Sequence, residues 1–461
     1  MKRYLRSVAT SSLALTAIAG CMSADADEAG PATTAATAQA ATQLGDALPG
    51  TDPVAFAAAR DNFAAVEEIE DGLGPVFNER ACGNCHTTPV VGGSGVQIER
   101  RFGEFVNGIF YGYDQAQDDE GGTLRQLFAN GTYLGPTGVS CTIPVEKEPA
   151  TATVHNVGRR TLPLFGLGLV DSIPDGFFDL LAALEPAEQR GTVLRAIPQF
   201  PDARDPNQSL SRTRVARFGI KDQQTNLVSF AGDAYLNEMG ISTQSCFRGQ
   251  SILAFALDNQ SNNVHPKAGC NDGDLAPAQP AGNPNIPQFT DDAVGGCIED
   301  GQPISEVQDD LANFLLFMER MAPPPQDLSD PIAFGLGAID FAAAGCVNCH
   351  FPGPFVTPSA PFNGVPANTT FFPFSDFLVH DMGSLGDLIG NTGDSVAKTR
   401  QMRTAPLWGA RFNTQFLHDG RAKSVRAAIL AHDGQGKAAR DAFAAMSSTD
   451  QGLLIKFVNS I

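Results

Sequence analysis

The chain has 461 residues, of which 43% are hydrophobic, a composition typical of a globular protein rather than of a disordered one. Its formal net charge of −20 would cause repulsion from a phosphate backbone or an anionic membrane surface, so we expect no nucleic-acid partner. Glycine and proline are abundant, with 47 and 31 residues, and predict long loops between the elements.

The first 21 residues have the character of a targeting signal. A basic start is followed by a small apolar run over residues 7–20, which is shorter than the roughly 20 residues needed to span a bilayer. The run ends at Cys21 in a pattern that resembles the lipobox of bacterial lipoproteins. Residues 1–21 are therefore predicted to be a lipoprotein-type signal peptide, with an ordinary secretory signal as the alternative.

Residues 22–52 carry almost no large apolar side chains, which predicts a flexible linker because such a segment buries too little to order itself. Together with the signal, the linker predicts a protein on the periplasmic side of a Gram-negative bacterium. We expect it to contact the outer membrane only through a lipid anchor.

Helical signals occur at residues 53–69, 177–184, 304–321 and 450–461. The first begins with Asp52 and Pro53, a good N-cap followed by proline at the first helical position. No stretch alternates apolar and polar residues over the length of a long strand. The predicted fold is therefore mostly α with long loops.

Two halves of the chain repeat the same order of motifs. Each has a Cys-x-x-Cys-His motif, then Arg-Thr-x-Pro-Leu beginning at Arg160 or Arg403, then a helix. Consecutive prolines at residues 323–325 separate the halves. We expect an N-terminal domain over residues 53–325 and a C-terminal domain over residues 326–461.

The two Cys-x-x-Cys-His motifs are the strongest chemical signal in the sequence. They comprise Cys82, Cys85 and His86, and Cys346, Cys349 and His350. Two thiols at this spacing attach covalently to the vinyl groups of haem, and the adjacent histidine donates its imidazole to the iron. The sequence thus predicts two covalently attached c-type haems, with a redox dithiol or a zinc site as alternatives.

Four further cysteines lie in the first half: Cys141, Cys246, Cys270 and Cys297. In an exported protein they predict two disulfides, in any of three pairings.

Several stretches together resemble the bacterial di-haem oxidoreductases, a thiol-oxidoreductase-like family of peroxidase-type proteins related to di-haem cytochrome c peroxidase. The resemblance covers roughly residues 55 to 461. Its motifs are Arg80-Ala81-Cys82-Gly83-Asn84-Cys85-His86, Phe165-Gly166-Leu167-Gly168-Leu169, Arg217-Phe218-Gly219-Ile220-Lys221, Glu238-Met239-Gly240-Ile241-Ser242, His380-Asp381-Met382-Gly383 and His418-Asp419-Gly420-Arg421-Ala422.

This resemblance implies two cytochrome c-like haem domains, the first with a peroxidatic haem and the second with an electron-relaying haem. The implied partners are a small oxidant and a small redox protein donor, a cytochrome or a cupredoxin. A non-catalytic electron-transfer cytochrome is the main alternative function, and a di-haem oxidase of an organic or protein substrate is another.

The resemblance also indicates a distal ligand for the second haem. In the peroxidase relatives this ligand follows a His-Asp-Gly-like turn by 14 residues, which leads from His418 to His432. Met382 is the main alternative, Met402 a weaker one, and His432 could instead face solvent. A metal centre built from the His-Asp pairs at His380, His418 and His432 would require all three to converge.

Glu238 matches the distal glutamate of the relatives and is the predicted catalytic residue at the first haem, where a carboxylate would move the proton that peroxide cleavage requires. The alternative is a surface glutamate at a helix end.

Two departures from the relatives count against peroxidase activity. Phe230 stands near the relatives' glutamine, and their inter-haem tryptophan has no counterpart in the first half, where Phe165 is the pseudo-equivalent of Trp408. The first haem is predicted to be open, or else closed by His155, His265 or a methionine.

Overall fold

The computed structural model describes residues 43–71, 73–113, 122–134, 138–209, 211–241 and 310–461. It also describes the backbone of five short strands between residues 244 and 303. The predicted signal peptide, most of the predicted linker and His265 lie outside these residues. None of the helices in the described ranges combines the length and the hydropathy needed to cross a membrane.

Eleven α-helices occur in the described residues. They are α1 Pro53–Phe63, α2 Cys82–Cys85, α3 Leu167–Asp171, α4 Asp175–Leu184, α5 Leu227–Met239, α6 Asp310–Arg320, α7 Pro331–Ala343, α8 Val396–Thr399, α9 Val425–Ala431, α10 Lys437–Ala445 and α11 Ser448–Ser460.

The described strands are short, with one exception. They are β1 Val76–Phe77, β2 Ile98–Val106, β3 Ile109–Tyr111, β4 Leu124–Arg125, β5 Phe128–Ala129, β6 Thr132–Leu134, β7 Ser140–Thr142, β8 Val154–Arg160, β9 Arg195–Ala196, β10 Arg214–Val215, β11 Gln244–Phe247, β12 Gln250–Ile252, β13 Ala293–Val294, β14 Ile298–Glu299, β15 Gln302–Pro303, β16 Phe355–Val356, β17 Thr370–Phe371, β18 Val379–Asp381 and β19 Gln401–Arg403.

The prediction of a mostly α fold with two cytochrome c-like haem domains is wrong. Only 34% of the described structure is helical, 16% is strand, and several small sheets make it a mixed α/β fold. The largest described sheet has four strands, with β2 pairing antiparallel with β3, β4 and β8.

Strand β2 escaped prediction because charged side chains occupy the positions where alternation would place apolar ones. Glu99 and Arg101 stand two residues apart and therefore share a face of the strand. They form an ion pair of 2.6 Å with only 20% of each side chain exposed. The pattern that predicts strands from apolar alternation therefore has nothing to detect here.

The helices predicted over residues 177–184 and 450–461 correspond to α4 and α11, each of which begins two residues earlier than predicted. The helix predicted over residues 53–69 corresponds to α1, which begins where expected and ends early. Asp52 caps α1 by accepting a hydrogen bond from the Val54 amide at 2.9 Å, as its sequence indicates. The helix nevertheless ends at Phe63, so Val66 lies beyond it and is 50% exposed. In the predicted helix over residues 304–321, the described part is α6.

Two hydrophobic clusters form the core. In the larger one, α1 and α5 pack on α6, with the Phe63 ring 5.0 Å from Phe317 and 5.8 Å from Phe314. This cluster also takes in second-half residues, including Phe371 and Trp408.

The smaller cluster belongs to the second half. There α7 packs on α11 through Phe341 and Phe457, whose ring centroids are 5.3 Å apart. Cys346 and Val347 lie against this cluster, so it supports the second Cys-x-x-Cys-His motif.

Candidate functional site

The second Cys-x-x-Cys-His motif follows α7 directly. Gly345 has φ 82°, a left-handed conformation that glycine adopts without strain, and it turns the chain into a 3-10 turn over Cys346–Asn348. The His350 amide then donates to the Cys346 carbonyl at 2.9 Å. This local turn brings both thiols and the imidazole of the motif to the wall of one cavity.

That cavity has a volume of about 240 Å³ and a mostly apolar lining. Cys346, Cys349 and His350 line it together with His432, and Met382 and Met402 reach it as well. The predicted ligand and both of its methionine alternatives therefore lie at the same site.

The rings of His350 and His432 lie close together, with centroids 6.4 Å apart and planes tilted by 58°. Two imidazoles that bind one metal from opposite sides should have centroids about 6 Å apart, since each metal–nitrogen bond is about 2.0 Å. The spacing therefore fits an iron between the rings. Met382 reaches the same region, since its methyl group and the His432 ring lie beside Gly436.

Both rings are oriented by backbone carbonyls. The Nδ1 of His350 donates to the Phe374 carbonyl at 3.1 Å, and the Nδ1 of His432 donates to the Ala428 carbonyl at 2.8 Å. In each ring Nε2 is left as the ligating atom. Burial lowers the pKa of both imidazoles, to about 4 for His350, and so keeps them neutral as a metal ligand requires.

The first motif is built around α2. The His86 amide donates to the Cys82 carbonyl at 2.9 Å, and His86 Nδ1 donates to the Gly93 carbonyl at 3.3 Å. The chain passes very close to the motif at Gly95, where an added Cβ would lie 2.0 Å from the Cys85 carbonyl oxygen. The Phe63 ring packs edge-on against His86 at 5.9 Å.

All four motif thiols are free cysteines in environments that disfavour the thiolate. Burial raises the pKa of Cys85 and of Cys346 to about 12, and it also raises the pKa of Cys82 and Cys349. A redox dithiol needs a lowered thiol pKa, so these sites do not fit that alternative well. They fit thiols that become thioethers, which carry no charge.

Glu238 lies near the end of α5, close enough to Cys85 to raise the pKa of that thiol. Asn78 holds Glu238 through two hydrogen bonds. Its side-chain Nδ2 donates to Glu238 Oε2 at 3.1 Å, and its backbone N–H donates to the Glu238 carbonyl at 2.7 Å. The Glu238 side chain is half-buried and is not the surface glutamate of the alternative prediction.

The structure pairs Glu238 with Glu99, a residue that sequence reasoning missed. Burial and the neighbouring Glu99 raise the pKa of Glu238 well above its usual range. Burial opposes ionisation of Glu99 too, but Arg101 holds its pKa below the usual range. The two carboxyl groups hydrogen-bond to one another, and Glu238, whose pKa is the raised one, is the carboxyl group that holds a proton more readily.

The three other histidines in the described residues are His155, His380 and His418. His155 is exposed and bonds Glu148 at 3.1 Å, so it closes no buried haem site. His418 lines the second cavity, where burial lowers its pKa to about 4. His380 lines the same cavity and is bonded to Asp376 at 3.1 Å.

The His-Asp metal centre does not assemble. Within the described residues, the only cluster with metal-ligand spacing is Cys349, Asp376 and His380. His380 already uses both ring nitrogens, Nε2 toward Asp376 and Nδ1 toward the Gln189 carbonyl at 3.0 Å. His418 and His432 take no part in it.

The remaining predicted positions are structural. Phe230 packs against the larger core cluster, with its ring 6.4 Å from that of Phe218. Phe165 and Trp408 are both buried in that cluster, and Trp408 fills the space beside Gly166. Cys141 is disulfide-bonded, whereas the side chains of Cys246, Cys270 and Cys297 lie outside the described residues.

Two buried thiol-and-imidazole motifs, one with a second imidazole close to it, define the class of a two-haem redox protein. Residues 281–461 match the model of a family described as "Di-haem oxidoreductase, putative peroxidase". This match supports the predicted family over the part of the chain that it covers. It includes the second motif and His432, whereas the first motif and Glu238 precede it. The searches found no matching curated protein and no matching solved structure.

Proposed function

We propose that this protein is a peroxidase-type oxidoreductase in which a haem at Cys82, Cys85 and His86 binds peroxide or another small oxidant. A haem at Cys346, Cys349 and His350 would pass electrons to it. The observation that carries the proposal is the asymmetry of the two sites. The second motif has a second imidazole close to it in its cavity, whereas the first has a half-buried carboxyl pair beside it.

The second site is suited to electron transfer rather than to substrate binding. If His350 and His432 both bind its iron, no position is left for peroxide. Two imidazole ligands would keep the surroundings of the iron nearly constant as it gains or loses an electron. The closeness of the two imidazoles supports the relay role.

The first site is suited to proton handling. Peroxide cleavage removes a proton from one oxygen and delivers a proton to the oxygen that leaves. A bound haem would supply the iron that takes up peroxide and the electrons that reduce it. Glu99, held as a carboxylate by Arg101, accepts a proton, and Glu238 holds one that it can donate.

We further propose that the protein works outside the cytoplasm, tethered by a lipid at Cys21, and that its donor is a small cytochrome or cupredoxin. The basic start and apolar run of the sequence support export. The disulfide at Cys141 also supports it, because disulfides persist in oxidising compartments.

The test is Glu238→Gln, measured as peroxide-dependent oxidation of a reduced cytochrome donor. Glutamine keeps the size and the hydrogen bond to Glu99 but carries no acidic proton. Positioned proton transfer is worth about 10²- to 10⁴-fold, so kcat should fall at least about tenfold. Haem content and both haem spectra should stay unchanged. Glu188→Gln, an exposed substitution of the same kind, is the matched control and should retain full activity.

Two outcomes contradict the proposal. If the wild type has an open, high-spin first haem but no peroxide turnover, the oxidase function gains support. If the first haem is six-coordinate in both the oxidised and the reduced protein, the protein is an electron carrier.

A further inference from the structure

The second cavity contains a buried cation, Arg160, that has no acidic partner among the described residues. It is the last residue of β8, lines the cavity and is only 8% exposed. Its Nε makes no hydrogen bond, and its guanidinium takes part in no ion pair among the described residues. Burial alone lowers its pKa to about 10, with no nearby carboxylate to offset the shift.

Such a cation is unusual because buried charges are nearly always paired. The adjacent Arg159 illustrates the rule, since it bonds Asp387 at 2.7 Å. The two other arginines of the cavity wall also have carboxylates. Arg403, the repeat counterpart of Arg160, lies 3.5 Å from Asp222, and Arg440 pairs with acidic residues on its own side.

The cavity wall thus offers one unneutralised positive charge toward a space that the proposed function fills with haem. A haem carries two propionate groups, and a guanidinium binds a carboxylate through two parallel hydrogen bonds. No aspartate or glutamate is among the described residues that line the cavity.

We infer that Arg160 binds a propionate of the haem attached at Cys346 and Cys349, so that the first half of the chain completes the cofactor site of the second. This inference rests on the proposed two-haem function. It makes Arg160 a determinant of the reduction potential of the second haem. A cation beside the propionate disfavours the oxidised, more positive haem and keeps the propionate ionised.

The experiment uses the full-length holoprotein and a spectroelectrochemical titration of the low-spin haem. Arg160→Gln should shift its reduction equilibrium at least about tenfold toward the oxidised form, a fall of 59 mV for one electron. Without the guanidinium the propionate should titrate nearer neutral pH, so the potential should depend on pH between pH 6 and 8 more than in the wild type. Arg160→Lys keeps the charge and should restore most of the potential.

Arg212→Gln removes the same charge from an exposed position and is the matched control, with an expected potential equal to that of the wild type. Unchanged potential and pH dependence in Arg160→Gln, with two haems bound, would overturn the inference. A wild-type potential that varies with chloride concentration, with that variation absent in Arg160→Gln, would also overturn it, since Arg160 would then bind an exchangeable anion.

If Arg160→Gln takes up only one haem, Arg160→Lys decides the matter. Recovery of the second haem supports the inference, and failure to recover it overturns the inference, because a positive charge at this position would then not hold the cofactor. None of these measurements involves peroxide, so they stand apart from the test of Glu238. A protein inactive toward peroxide can still show the shift.

Discussion

The ion group around Asp387 offers a direct test of how the two halves are held together. Its carboxylate belongs to the second half and bonds two cations of the first, Arg159 at 2.7 Å and Lys221 at 2.8 Å. The Asp387 side chain is fully buried, and that of Arg159 is 3% exposed. Asp387→Asn removes the charge that both cations share and leaves them buried and unpaired. The cost of breaking such a group is about 3–5 kcal/mol in the free energy of unfolding.

The pH dependence has a definite sign. Burial opposes ionisation of Asp387, but Arg159 and Lys221 lower its pKa from 3.8 to about 2. A lowered acid pKa stabilises the fold above the unfolded-state value, and this stabilisation is lost as the pH falls from about 4 toward 2. The shift corresponds to about 2.5 kcal/mol. The stability difference between wild type and Asp387→Asn should therefore narrow over this pH interval.

Urea unfolding of the holoprotein, followed by the fluorescence of the single tryptophan, Trp408, measures the effect. Trp408 is buried in the core cluster that both halves share, so it reports on their separation. Asp441→Asn breaks the exposed pair with Lys437 and should leave the unfolding midpoint unchanged. If Asp387→Asn lowers the free energy of unfolding by less than about 1 kcal/mol at neutral pH, the reasoning is refuted, because two buried cations left without their anion should destabilise the fold by more than that.

Two further predictions concern the haems themselves. The mature protein should carry two haems that survive acid-acetone extraction, and a mass spectrum showing one haem or none would contradict the assignment of two attachment sites. His432→Ala should convert one low-spin haem to high-spin in the electron paramagnetic resonance spectrum, whereas Met382→Leu should not. The reverse result would transfer the ligand assignment to Met382.

The attachment motifs are predictable from sequence because their geometry is local. Cysteines and histidine within five consecutive residues meet one haem through a single turn of chain, and both motifs form such a turn. The contact between His350 and His432 joins residues that are far apart in the sequence. Only the 14-residue spacing seen in the relatives indicated it. Its spacing of 6.4 Å fits that indication, while the identity of the ligand stays a prediction.

The partners of Glu238 could not be predicted in the same way. Glu99 reaches it from β2, and its place depends on the register in which β2 pairs with β8, where Glu99 stands opposite Arg159. A sequence without visible alternation gives no strand, and hence no register. For the same reason the sequence did not predict the position of Arg160, which ends β8 and lines the cavity of the other half.

The predicted boundary near residue 325 separates two sequence repeats, but the contacts that stabilise the sites cross it. The first half supplies Arg160 and Gln189 to the second cavity, and Gln189 accepts a hydrogen bond from His380 there. In the opposite direction, Asn363 donates to the Gly168 carbonyl at 2.8 Å, and Trp408 fills the space beside Gly166. A hinge at the prolines would have to break these buried contacts and the ion group at Asp387. Electron transfer between two sites depends steeply on their separation, so halves fixed by shared core and shared charge give the two proposed haems one constant distance.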